Sequence, residues 1–188
     1  VSEEIINKPL TIKRFELEAL TIKQLIEDKI LELPSSLNIQ DVDVKNETDR
    51  SMNLANNTFN AGNWMRIINY GEASCFALGK ILNDKGIKNV LVIDERTARM
   101  LAEKPENLHE LYEKKLHLKV KANHDNFTYF RNFKIIRSSE LCYLAYKKDL
   151  VNIRDGVQLI DALLYAAKYK GCAISQQEIE TIKRLKPR

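Results

Sequence analysis

Asp94 and Glu95 stand side by side where the apolar run Val90–Ile93 ends, and two arginines, Arg96 and Arg99, follow at once. A third carboxylate, Glu72, comes directly after Gly71 at the start of the helix-forming stretch "GEASCFALGKIL". In a parallel α/β sheet the reactive crevice lies beyond the carboxyl ends of the strands. Carboxylates gathered there repel one another unless a cation neutralises them, and an oxygen-only set suits a hard ion such as Mg²⁺ or Mn²⁺. Such an ion lowers the pKa of a bound water and stabilises a phosphoryl transition state. Arg96 and Arg99 are then placed to hold phosphates. Each residue also has a plainer role. Glu72 suits a helix's first turn as the capping-box partner of Asn69, Asp94 is an ordinary N-cap type, and Arg99 fits a surface helix. Trp64 and Tyr70, close in sequence to Glu72, either stack on a base or anchor a loop.

The elements that must position these side chains follow from periodicity. Within Ile12–Asp28, Phe15, Ala19, Ile22 and Ile26 recur at helical spacing with Leu25 beside them. "KILEL", residues 29–33, reads as a strand stopped by Pro34. Residues 35–63 are polar, with weak helix signals after Asn46 but few apolar anchors, which predicts a flexible segment or arch. Ala73, Phe76, Ala77 and Ile81 mark a core-facing helix ended near Gly86. "NVLVI" follows as a strand whose unbroken apolar run predicts cover on both faces. Helices are expected from Arg96 to just before Pro105, and again from Pro105. "FKIIRS" reads as a second short central strand, and "SSELCYLAYKKDLV" as a helix capped by Ser138 or Ser139. "LIDALLYAAKYKG" is an apolar helix closed by Gly171, and "SQQEIETIKRL" opens on a capping box, Ser175 with Glu178. This alternation predicts an α/β fold, a three-layer α/β/α sandwich around a mostly parallel sheet, formed by residues 1–188 as one domain. The opening "VSEEII" resembles a second element rather than a first, so either the fold starts unusually or a first strand lies upstream of these residues.

Composition narrows the function classes. Apolar residues make up 44 % of the 188, an ordinary share for a globular protein. No apolar run approaches the roughly 18 residues that span a bilayer, and the first residues lack a signal-peptide pattern, so a cytoplasmic, non-membrane protein is expected. The net charge of +4 permits a polyanionic partner without requiring one. Cys75, Cys142 and Cys172 form no CxxC and read as buried free thiols. His109, His117 and His124 lack the spacing of a metal pair and read as surface or structural residues. A nucleotide-binding doubly wound domain would need a glycine-rich phosphate loop, which is missing.

Taken in order, "YGEASCFALGKIL", "VLVIDERTARMLAEK" and "FKIIRSSELCYLAYKKDLV" resemble the PIN-domain family, nearest to archaeal and bacterial PIN-like proteins with a GEA helix and an I-D-[DE]-R-x-A-R turn. "LIDALLYAAKYKGCAISQQEIETI" is similar to the terminal helix pair of that subgroup. The resemblance implies a metal-dependent ribonuclease that hydrolyses RNA phosphodiesters. On it, Glu72, Asp94 and Glu95 are the acids that hold Mg²⁺ or Mn²⁺, and Arg96 and Arg99 steer phosphate. The family's first acid follows an opening apolar strand that this chain lacks, and Asn7 or Lys8 stands where the next would fall. That gap favours an alternative, a non-catalytic PIN-like module binding RNA or a protein partner, a second copy included, through a basic face and the aromatic segment Phe127–Phe133.

Overall fold

A computed structural model describes residues 2–153 and 156–185. The expected α/β/α sandwich is absent: 63 % of the chain is helical and 5 % lies in strands, which form two separate two-stranded sheets. The chain divides into two compact units, Val1–Glu47 and Thr48–Arg188.

In the first unit a π-helical turn (Glu3–Asn7) leads into the short α1 (Lys8–Leu10) and then α2 (Glu16–Glu27). The stripe read from the sequence is present in α2: Ala19 is buried, and Ile22, Leu25 and Ile26 are half-buried, although Phe15 stands outside. Residues 29–33 are not a strand. Lys29 adopts a left-handed conformation at φ 56°, and the chain turns toward a 3₁₀ turn at Pro34–Leu37. A strand needs a neighbour to pair with, and a five-residue propensity match supplies none.

The polar segment expected to be flexible carries α3 (Asp41–Asn56), a helix of 16 residues. Within the second unit its buried side is small and mostly polar: Thr48, Ser51 and Ala55, at helical spacing. A search for large apolar anchors overlooks such a stripe.

The second unit continues through β1 (Phe59–Asn60), α4 (Tyr70–Asp84), β2 (Leu91–Val92), α5 (Arg96–Glu103), α6 (Pro105–Leu116), β3 (Lys121–Ala122), α7 (Phe127–Phe130), β4 (Ile135–Ile136), α8 (Ser138–Lys147), α9 (Gly156–Tyr169) and α10 (Gln176–Arg184). β1 pairs antiparallel with β3, and β2 pairs parallel with β4. The expected cover on both faces of "NVLVI" is not found: Leu91 and Ile93 are buried, while Val90 and Val92 are about half exposed. One face alone is dry, so no second helix layer is needed.

An aromatic cluster makes the core. Phe76 meets Phe130 edge-on at 5.1 Å and Phe133 at 5.2 Å, and Phe59 lies 5.8 Å from Phe127. Phe127, Phe130 and Phe133 are therefore interior residues, not the binding aromatics that the alternative reading required. A second cluster, Ile160, Leu164, Cys172, Ile174 and Ile179, joins α9 to α10. α4 approaches β2 at Gly79, where an added Cβ would lie 2.8 Å from the Leu91 side chain and 3.2 Å from Phe133. Gly79→Val forces a branched side chain into that contact and is expected to lower unfolding free energy by about 1–3 kcal/mol in a urea titration.

Candidate functional site

β2 and β4 run side by side, so their carboxyl ends present Asp94 and Ser138 at one edge. Asp94 accepts two hydrogen bonds there. The Ser138 backbone N–H donates to Oδ1 at 2.8 Å and the Ser138 hydroxyl to Oδ2 at 2.6 Å. The first turn of α8 thus receives its acceptor from another strand. Neither Ser138 nor Ser139 is the cap; Arg137 occupies the N-cap position. Burial opposes ionisation of Asp94, but the Ser138 bonds, the Cys172 thiol and the positive charge of Arg99 outweigh it and hold its pKa below the ordinary carboxylate value.

The other two predicted acids face other neighbours. Glu95 is the N-cap of α5 and accepts from the Ala98 N–H at 2.6 Å. Its charge, after burial, is what raises the pKa of Tyr112 on α6. Glu72 accepts from the Asn69 N–H at 2.9 Å, the reach-back half of a capping box at the start of α4. Among the described residues no group of three or more His, Cys, Asp and Glu side chains is arranged to hold a metal ion. Glu72, Asp94 and Glu95 thus do not form one three-carboxylate group; each is engaged at a different helix start. Each carboxylate instead accepts from backbone N–H groups at a helix start, Glu72 and Glu95 within their own helix and Asp94 across the strand pair. Of the two expected phosphate-binding arginines, Arg96 is exposed in the first turn of α5, while Arg99 turns its Nε inward, buried and without a hydrogen-bond partner.

Around Asp94 the structure builds a polar clamp that the sequence did not reveal. Arg137, 9 % exposed, donates to Glu178 at 2.7 Å, to Glu140 at 3.0 Å and to the Ala173 carbonyl at 3.3 Å. It ties β4 to the start of α10. The Ser175–Glu178 capping box predicted for α10 is present. Burial works against the Glu178 charge, but the Ser175 N–H, Arg137 and the Ser175 hydroxyl bring its pKa down to about 2. Cys172 is buried and donates to the Ser139 hydroxyl at 3.5 Å; burial raises its pKa, so it stays a thiol and a poor nucleophile. All three cysteines are free, but Cys75 is exposed rather than buried.

A different surface has the exposure a ligand needs. Residues 59–65 fold back on themselves through a turn at Gly62, whose φ is 96°. Asn60 lies opposite Trp64 on one side and Lys121 on the other. Directly paired residues share a face, so Trp64, Asn60 and Lys121 form a row on the solvent side of this ribbon. The opposite face carries Phe59, fully buried. Trp64 is 54 % exposed, and Arg66, two residues along an extended stretch, is exposed as well. Tyr70, at the start of α4, is 43 % exposed. The sequence signal for the row was the turn "NAGN" between Phe59 and Trp64, a hairpin pattern. Two of the histidines pack on the core: His109 stacks on Phe59 at 5.5 Å and meets the Val120 carbonyl at 2.5 Å, and His124 meets Phe127 edge-on at 5.0 Å.

No helix among the described residues is long and apolar enough to cross a membrane. No family model, no curated protein and no solved structure matches this chain.

Asp94→Ala strips the α8 start of its acceptor and is expected to cost about 2 kcal/mol of stability at neutral pH, measured by denaturant unfolding. Glu178 has a depressed folded pKa, so its contribution is complete above the unfolded value near ~4.3 and disappears as pH falls through about 2. The stability gap between the parent and Glu178→Gln should therefore close across that acid window in a pH series of thermal melts.

Proposed function

We propose that this chain binds single-stranded RNA along the exposed row on the β1–β3 ribbon. The observation that carries this reading is the juxtaposition of Trp64, Asn60 and Lys121 on one solvent face, backed by buried Phe59. An aromatic ring offers stacking to any base, a lysine offers charge to the phosphates, and an amide offers a donor and an acceptor to a base edge. A groove of about 520 Å³ is lined by Arg50, Asp49 and the amides of Asn53, Asn57, Asn123 and Asn126, of which Asn57 and Asn126 already donate within the protein. The PIN-like resemblance of the sequence favours the same class of partner. The binding-module form agrees with carboxylates that each serve a separate helix start.

A second reading, a metal-dependent ribonuclease, rests on Asp94, a carboxylate kept ionised at the carboxyl end of a parallel strand pair. The two readings separate in one assay. On the binding reading, the protein with Mn²⁺ leaves a labelled single-stranded RNA intact, and calorimetry detects no Mn²⁺ binding. Cleavage that is lost in Asp94→Asn would establish the hydrolase instead. For binding itself, Trp64→Ala is expected to weaken affinity by about 5- to 100-fold in fluorescence anisotropy, the loss of one stacked base. An unchanged affinity overturns the ribbon as the contact surface.

A further inference from the structure

The parallel pair has a second end. Immediately before β2 and β4 stand Lys88, Asn89 and Val90 on one side and Asn132 and Lys134 on the other. With Asn83 from the end of α4 they line a hollow of about 360 Å³. Among the described residues no acidic side chain lines it. Lys88 and Lys134 are both exposed, and neither has a carboxylate partner among the described residues. The floor is held in place. The Asn89 amide donates to the Asn83 side-chain oxygen at 2.8 Å and to the Ile87 carbonyl at 3.1 Å, while the Leu91 N–H donates to the Lys134 carbonyl at 2.8 Å. The Asn83 oxygen is thereby occupied as an acceptor.

Two ammonium groups and the side-chain amides of Asn83 and Asn132 around one concavity, with no carboxylate among the described lining residues, match an oxyanion. We propose that this hollow is a phosphate site, which on the RNA-binding reading above takes backbone phosphates of the bound strand. It is distinct from the edge that holds Asp94, because the two lie at opposite ends of the same strand pair. It also differs from the Arg96 and Arg99 pair expected from the sequence. A lysine here acts as a charge rather than a fork, so the site reads backbone and not base identity.

The test compares the parent, Lys88→Ala/Lys134→Ala, and a control that removes the same charge elsewhere, Lys147→Ala/Lys148→Ala. Anisotropy with a labelled single-stranded RNA is measured across a salt series, and inorganic tripolyphosphate is titrated by calorimetry. Each phosphate contact on a single strand contributes about 0.7 to the slope of log affinity against log salt, so the site variant should lose roughly 1.4 of slope and about 10- to 30-fold in affinity near ~0.1 M salt. The control should change far less, and tripolyphosphate binding should vanish only in the site variant. A site variant that matches the control in both measurements overturns the proposal. If the parent ignores RNA yet binds tripolyphosphate through these lysines, the phosphate site stands and the RNA reading falls.

Discussion

The hydrogen-bonded clasp between Asp94 and Ser138 is the interaction around which the second unit is organised. Two-residue strands contribute few backbone hydrogen bonds, and one face of the β2–β4 pair is wet. Pairing alone is therefore a weak tie. The clasp joins the strands where they end and satisfies the first turn of α8 from outside its own sequence. Arg137, the residue before Ser138, extends the connection to α10 through Glu178. A single short segment thereby links a strand pair to a C-terminal helix, with one ionised carboxylate at each end. Hydrogen bonds to charged groups are stronger than neutral ones, which suits a junction that regular secondary structure supports so little.

Helices α4, α5, α6, α8, α9 and α10 were legible from local signals, whereas the short α7 was not. α4 has a core stripe, a capping acid and a closing glycine; α10 has its capping box; α5 and α6 are divided by Pro105. The strand partners β2 and β4 were legible too, as apolar runs. What the runs could not reveal was how many strands would pair or how many faces would be covered. "VLVI" has the same composition whether it lies between two helix layers or against one, and only the burial of Leu91 and Ile93 against the exposure of Val90 and Val92 separates the cases. α3 was missed for the opposite reason: its buried residues, Thr48, Ser51 and Ala55, are too small and polar to stand out.

The candidate acids show how one residue type at one spacing supports two chemistries. A carboxylate at a helix start and a carboxylate in a metal site differ only in where the neighbouring carboxylates point, and that is a property of packing. Glu72, Asp94 and Glu95 each answer to a different helix. The exposed row at Trp64, Asn60 and Lys121 was hidden for a related reason. Its members lie far apart in sequence and meet only because two very short strands pair in one register, and a slip of a single residue would send Lys121 to the buried face.

The lysines flanking the strand pair have a consequence for handling the protein. A two-stranded parallel pair with half-exposed valines is the kind of surface on which another strand can add, the usual start of aggregation. Lys88 and Lys134, placed just ahead of the two strands, put like charges where an incoming strand would align. Solubility in this part of the molecule thus depends on side chains that contribute nothing to its core.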